Sequence, residues 1–149
     1  MRSWFLSLLL LPTAALASGG WDFTGTYISP GLNLGYGFDD HTEVNFGGEI
    51  SLVRLTVEST WYGLYVDGLH AFGGDTTRLS AGFEGGYLLG GMDAGVIYDT
   101  ATESYGTRAR FILSLVFPSA YVATTWLPDQ GAHWEVGLLV KVPIPIVHE

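Results

Sequence analysis

The sequence predicts an all-β chain: an eight-stranded antiparallel up-and-down transmembrane β-barrel with short turns. Three observations predict it. Apolar and polar residues alternate with a period of two along most of the chain, with almost no 3.6-residue period. The apolar phase carries the bulky side chains, whereas the polar phase carries both signs of charge and most strand glycines. The alternating segments are even in number and roughly 9 to 13 residues long, near the length a tilted strand needs to cross a bilayer.

Composition sets the outer limits. The 149 residues suffice for one domain. There is no cysteine, so neither disulfides nor thiol chemistry are available. Charged residues make up 14 %, below the roughly 25 % of ordinary soluble domains, and aromatics also reach 14 % alongside 21 glycines. Six Lys plus Arg against a formal charge of −9 exclude the basic stripe that nucleic-acid binding needs.

The first residues read "MRSWFLSLLLLPTAALA". Arg2, the apolar run Trp4 to Leu11 and Ala15-Leu16-Ala17 form the three parts of a secretory signal peptide. The run is shorter than the ~18 residues of a membrane-spanning helix. The expected organisation is a signal peptide over 1–17 and a barrel domain over 18–149. Cleavage removes Arg2 and no acid, which shifts the formal charge from −9 to −10.

The strands follow in order. The first, Ile28 to Phe38, sets Ile28, Pro30, Leu32, Leu34, Tyr36 and Phe38 against Ser29, Gly31, Asn33, Gly35 and Gly37; Asp39 to His41 is a turn. The second, Glu43 to about Val53, sets Val44, Phe46, Ile50 and Leu52 against Glu43, Asn45, Gly47, Glu49 and Ser51. The third, about Thr60 to Phe72, sets Tyr62, Leu64 and Val66 against Gly63, Tyr65 and Asp67, before the turn Gly73 to Asp75. The fourth, Thr77 to Gly90, sets Leu79, Ala81, Phe83, Tyr87 and Leu89 against Arg78, Ser80, Gly82, Glu84 and Gly86.

The fifth, Met92 to Asp99, sets Met92, Ala94, Val96 and Tyr98 against Asp93 and Gly95; Thr100 to Ser104 is a polar loop. The sixth, Tyr105 to Phe117, sets Thr107, Ala109, Phe111, Leu113, Leu115 and Phe117 against Arg108, Arg110 and Ser114, until Pro118 interrupts the ladder. The seventh, Ser119 to Leu127, sets Ala120, Val122 and Trp126 against Tyr121, Ala123 and Thr125, before the turn "PDQG". The eighth, Ala132 to Val142, sets Trp134, Val136, Leu138, Val140 and Val142 against His133, Glu135, Gly137 and Lys141. Leu69, Leu88, Ile97, Ile112, Val116 and Leu139 fall on the polar phase and Thr124 on the apolar one. A small barrel filled by its own side chains tolerates a few inward apolar residues.

Size and charge decide which phase points inward. A converging interior needs small residues, and most strand glycines lie on the polar phase. A soluble barrel would place its large aliphatics inside and cover its outside with Lys, Glu and Gln, not glycine. Arg or Lys on a lipid face at mid-bilayer costs about 2–4 kcal/mol, and Arg78, Arg108, Arg110 and Lys141 all take the polar phase. Arg54 lies in "LVRLTVES" between strands, at an interfacial level. Buried charges must be paired. The expected lumen network is therefore Glu49, Asp67, Arg78, Glu84, Asp93, Arg108, Arg110, Glu135 and Lys141, with Glu43 of the same phase. The expected lipid face is Leu32, Leu34, Phe46, Ile50, Leu64, Val66, Leu79, Phe83, Val96, Phe111, Leu113, Val122, Trp126, Trp134, Leu138 and Val140. An N-terminus in the periplasm puts "DDH", "FGGDTT", "DTATESYG" and "LPDQGA" on the outer rim and "VRLTVES", "LLGG" and "FPSA" on the inner one.

From about Gly25 to Val142 the chain resembles small outer-membrane β-barrels of the OmpA/OmpX type. Glu135-Val136-Gly137-Leu138-Leu139-Val140-Lys141-Val142 resembles the last-strand signal read by the barrel assembly machinery. That signal usually ends on an aromatic residue, whereas this chain continues with "PIPIVHE". "RLSAGFEGGYLLGGMDAG" and "EVGLLVKVPIPI" are also similar to barrel proteins of myxobacteria. The resemblance implies the outer membrane of a Gram-negative cell, with outer-membrane lipid and the assembly machinery as partners.

Some barrels that this one resembles hydrolyse or transfer lipid A acyl chains with Ser, His and an acid. The histidines here are His41, His70, His133 and His148, and the serines in reach are Ser80, Ser104 and Ser114. No His-x-Ser pair and no Gly-x-Ser-x-Gly elbow occurs. His133 and Glu135 share a face and suit a base and its orienter; the plainer expectation is a rim histidine beside an acid paired to an arginine. "DDHTE" at Asp39 to Glu43 offers hard-cation ligands, but it reads more simply as a solvated turn. The expectation is a structural or binding barrel without catalysis, metal or cofactor, its lumen plugged by charge. The rivals are a soluble exported lipocalin-like carrier, a lipid A-modifying enzyme and a narrow pore.

Overall fold

Period-two alternation produces strands and nothing else. A computed structural model describes residues 24–38, 42–115, 118–128 and 130–148, and every regular element in it is β. The expected signal peptide, the turn Asp39 to His41, and Val116 and Phe117 lie outside the described residues, as does the side chain of His148. The strands are β1 (Gly25–Gly37), β2 (Glu43–Leu55), β3 (Thr60–Ala71), β4 (Thr76–Tyr87), β5 (Gly90–Asp99), β6 (Ser104–Ser114), β7 (Pro118–Leu127), β8 (Gly131–Lys141) and β9 (Ile144–His148).

From β1 to β8 each strand pairs antiparallel with its chain neighbour, and β1 pairs with β2 on one side and with β8 and β9 on the other. The sheet thus closes on itself through β1, and among the described residues β9 pairs with β1 alone. Nine assigned strands occupy eight positions, because β9 is β8 resumed. Gly31 faces Lys141 and Ile28 faces Ile144, so one register runs through the gap at Val142 and Pro143. The gap has a chemical cause. Pro30 has no N–H to return to Val142, and across the gap the Val142 N–H still donates to the Pro30 carbonyl at 2.9 Å. The register shifts between Thr26 and Tyr27, where Ile146 is the extra residue of a bulge.

Several elements differ from the sequence expectation. The tail "PIPIVHE" supplies β9, because Pro143 and Pro145 stand where the antiparallel ladder with β1 exchanges no hydrogen bond. Pro118 opens β7, the strand position where proline is tolerated. β6 ends at Ser114. Arg54 lies within β2, facing outward and exposed, and not between strands. Leu88 belongs to the β4–β5 turn, is 58 % exposed and does not continue the inward phase.

The β1–β2, β3–β4, β5–β6 and β7–β8 turns form one rim, called distal here; the other turns and both ends of the described chain form the terminal rim. Ser59, Asp75 and Glu103 take left-handed φ of 61°, 49° and 52° at the last residue of their turns, and Leu88 does so at 51°. A left-handed leucine costs roughly 1–2 kcal/mol, part of which glycine would lose again through its freer unfolded chain. Leu88→Gly should therefore raise stability by about 0.5–1 kcal/mol. A urea titration reads this directly, and a lowered midpoint would contradict it.

The two faces carry opposite chemistry. The sixteen side chains of the expected lipid face all point outward and are exposed, from Val122 and Val140 at 44 % to Phe83 at 74 %. Aromatics gather toward the ends of this outer face. Tyr36, Phe38, Phe72, Tyr105, Trp126 and Trp134 lie toward the distal rim, and Tyr62 and Tyr87 toward the terminal one. Leu32, Ile50, Leu64, Val66, Leu79, Val96 and Val140 fill the band between. Inside, Leu69, Ile97, Ile112 and Leu139 are buried, and Ile112 and Leu139 cluster with Tyr121 and Ala123.

The inward glycines serve two ends. At Gly35 an added Cβ would come within 2.6 Å of Glu135 Cδ and 2.7 Å of Tyr121 Oη, so a lumen side chain occupies that space. At Gly47, Gly63, Gly82 and Gly95 the Cβ would strike the backbone of the neighbouring strand. Tight coiling of a small barrel demands that approach, and only glycine permits it.

Candidate functional site

The inward charges of β2 to β8 meet along the axis in successive layers. Nearest the distal rim, Arg78 on β4 pairs with Glu43 on β2, and its Nε donates to Asp99 Oδ2 at 3.1 Å. Asp99 Oδ1 also accepts from Thr76 Oγ1 at 3.1 Å and from the N–H groups of Ala101 and Thr102 at 2.9 and 3.1 Å. That one carboxylate therefore fixes the β5–β6 turn as well as the arginine. His133 Nε2 lies 3.1 Å from Glu43 Oε1.

In the next layer Arg108 bridges two walls, with NH1 on Asp67 at 2.7 Å and NH2 on Glu135 at 2.9 Å. Ser80 donates to Asp67, and Asn45 to Glu135. Tyr121 Oη stands 2.6 Å from Glu135 Oε1 and 2.7 Å from Asn33 Oδ1. The phenol has one proton, and Glu135 is the charged acceptor for it.

Arg110 occupies the centre, with no exposure of its side chain. Its Nε donates to Asp93 at 2.6 Å and its NH2 to Glu49 at 2.6 Å, while NH1 is 3.4 Å from Asp67. The guanidinium also sits 5.0 Å from the ring centroid of Tyr65 and 5.7 Å from that of Tyr121. Below it, Lys141 Nζ reaches Glu49 at 2.5 Å, Glu84 at 2.6 Å and Ser51 Oγ at 2.8 Å. Toward the terminal rim the Trp61 ring crosses Gly86 and Gly91, where any Cβ would collide with it.

Every cation of the lumen touches at least two carboxylates. This is what burial requires, since a lone ion out of water costs several kcal/mol. Acid is in excess. Among the described residues Glu43, Glu49, Asp67, Glu84, Asp93, Asp99 and Glu135 are seven carboxylates against the four cations Arg78, Arg108, Arg110 and Lys141. Glu84 and Asp93 are direct cross-strand partners, and each keeps one buried oxygen with no protein hydrogen bond. Like charges placed opposite each other repel; Lys141 and Arg110 hold the two from the far walls.

All nine residues expected in the network lie inside, and each makes at least one of these contacts. Asp99, Asn33, Asn45, Tyr65 and Tyr121 belong to it too. Their parity already placed Asn33, Asn45, Tyr65 and Tyr121 on the inward phase, and Asp99 continues the phase of Asp93. The candidate catalytic groups are dispersed. His133 meets Glu43, while Glu135 meets Arg108, Tyr121 and Asn45. Ser80 is bonded to Asp67, and Ser104 lies 2.7 Å from Thr102. Ser114 lies 2.6 Å from Ser119 at the terminal rim, the opposite end from His133. His70 faces outward near the distal rim, 3.2 Å from Thr77 Oγ1 and edge-on to Phe72. Of "DDHTE", only Thr42 and Glu43 fall among the described residues, and Glu43 is held by Arg78. Among the described residues no group of three or more His, Cys, Asp or Glu is placed to hold a metal. No protein-family model, curated protein or solved structure matches the chain.

Proposed function

We propose that the chain is an integral outer-membrane β-barrel of a Gram-negative cell, exported by a cleaved signal peptide, with a structural or binding role at the envelope and a lumen closed by its charge network. One observation carries the reading: the polarity is inside out. Arg110 is buried at the axis, and the outer wall is a continuous band of exposed Leu, Ile, Val and Phe. Water would leave the outer band uncompensated, since monomeric soluble proteins rarely expose apolar patches beyond a few hundred Å². A bilayer stabilises the outside, and aromatic side chains at both ends of an aliphatic band suit its two interfaces. The described residues include no helix long and apolar enough to cross a membrane, so the crossing falls to strands.

Eight strands enclose room for side chains only, and four multiply paired cations fill it. A plug, not a pore, follows. The protein should sediment with outer membranes, resist alkaline extraction and run faster on gels unheated than boiled. Recovery in the soluble periplasm would favour the lipocalin-like carrier and overturn the proposal. In planar bilayers the folded protein should give no steady conductance; a reproducible open channel would replace the plug by a narrow pore. Unchanged lipid A acylation in His133→Ala and Ser114→Ala cells is expected, and a changed profile would point to the enzyme. The mature N-terminus should be Ser18.

A further inference from the structure

We propose that Arg54 and the apolar groove beside it bind a phospholipid of the leaflet at the terminal rim through its phosphodiester, an inference that rests on the membrane reading above. Among the described residues Arg54 is the one Lys or Arg on the outer face. It lies one residue from the end of β2, next to the terminal rim. The register places Thr26 of β1 on one side of it and Tyr62 of β3 on the other. One guanidinium and two hydroxyl-bearing side chains thus form a row across three strands. That row is a donor set for a phosphate, which the guanidinium fork suits.

Two residues further up the strands, about 7 Å away, the chemistry changes completely. Leu52 of β2, Leu64 of β3 and Phe83 of β4 form the next outward row. A groove of 310 Å³ joins the two rows, lined by Thr26, Arg54 and Tyr62 at its polar end and by Leu52, Leu64 and Phe83 beyond. Gly85, opposite Tyr62 and also facing outward, contributes no side chain. The groove is therefore amphipathic along the strand axis, with the charge at the rim and the apolar end toward mid-barrel.

The same strands carry a second trough of 690 Å³ higher up. Its outer-face lining includes Ile50, Val66, Ala81 and Val96, then Gly48 and Gly68. Gly48 and Gly68 face each other across β2 and β3, and they hollow a surface that is otherwise leucine, isoleucine and valine. From the Arg54 row to the Gly48 row is six residues, about 20 Å along the strand. At a strand tilt near 45° this is about 15 Å of depth, half of a ~30 Å hydrocarbon core. One anchored headgroup with an acyl chain lying up the β2–β4 wall matches that length, that charge and that sequence of rows.

The test compares folded, detergent-solubilised wild type with Arg54→Gln and Ala81→Trp by native mass spectrometry, titrating dioleoylphosphatidylglycerol and, separately, dioleoylglycerol, which lacks the phosphate. Wild type should retain one phosphatidylglycerol, and Arg54→Gln should hold it about tenfold more weakly, the scale of one charge-assisted contact. Both should bind dioleoylglycerol weakly and alike. Ala81→Trp, which fills the tail path on the outer face and touches no lumen group, should also weaken the phospholipid. Equal phosphatidylglycerol binding by wild type and Arg54→Gln would overturn the site, and unchanged binding in Ala81→Trp would overturn the tail path. Flotation with vesicles separates the two levels. If wild type and Arg54→Gln float alike but bind the lipid equally, only this site fails; if wild type does not float, the membrane reading fails with it.

Discussion

Arg110→Leu should cost about 3–5 kcal/mol of barrel stability, the penalty of breaking a buried ion pair from one side. The variant strands Asp93 and Glu49, each of which now receives a 2.6 Å bond from this guanidinium, and it removes the 3.4 Å ion pair with Asp67. Glu49 keeps Lys141, and Asp67 keeps Arg108. Asp93 keeps no direct partner among the contacts of the described residues, and its cross-strand neighbour is the like-charged Glu84. Leu113→Ile, on the exposed outer face, should shift stability by less than about 0.5 kcal/mol. Urea titrations of the three proteins in one detergent would show the contrast. Equal effects would contradict the assignment of inside and outside. Replacing the ions together, as Arg110→Met with Glu49→Leu and Asp93→Leu, should recover much of the loss, because an apolar set of similar volume leaves no charge uncompensated.

The inward or outward sense of Arg110 and Leu113 was legible in the sequence, because a strand sends adjacent side chains to opposite faces and this chain gives each face one chemistry. The partners were not legible. Arg110 finds Asp93 on the next strand but Glu49 far across the lumen, 61 residues away in sequence. That contact depends on how the closed sheet is staggered, which no local pattern records. The same limit explains the histidine: His133 and Glu135 share a phase, yet they face different partners in different layers. β9 was hidden for another reason. Proline reads as a breaker, but Pro143 and Pro145 occupy positions that exchange no hydrogen bond with β1, so the pairing runs on past them. Inward glycine read as small filler; the backbone of the adjacent strand is the stronger constraint at Gly47 and Gly63. The aromatic ends of the outer wall needed only a finer sorting of the same phase by height.

Val66→Arg should cost about 2–4 kcal/mol when the protein folds into lipid vesicles, the midplane penalty for a cation on the lipid side. Val66 suits the test. It is 54 % exposed, lies at the middle of β3, and has Ile50 and Ala81 as cross-strand neighbours on the outer face. The change touches nothing in the lumen, so any loss reports the surroundings of the outer wall. The penalty should shrink for Leu34→Arg, which lies closer to the distal rim, because it falls with distance from the midplane. For a barrel in water both substitutions would fall within about 0.5 kcal/mol. A result near zero in vesicles would therefore tell against a lipid-facing wall more directly than fractionation does.

β9 completes the ring at the terminal rim: Gly25 lies opposite His148, across almost the whole length of the described residues. Such a contact has the largest loop-closure entropy the chain can offer, so it should form late and slowly. Until then the polypeptide is a curved sheet with two bare flanks and its ionised residues open to solvent. A chain shortened before Ile144 would leave β1 near the terminal rim paired with β2 but open along its other edge, and such an exposed flank recruits other strands. The protein's vulnerability to misassembly is thus concentrated in β9, whichever ligand or partner the finished barrel serves.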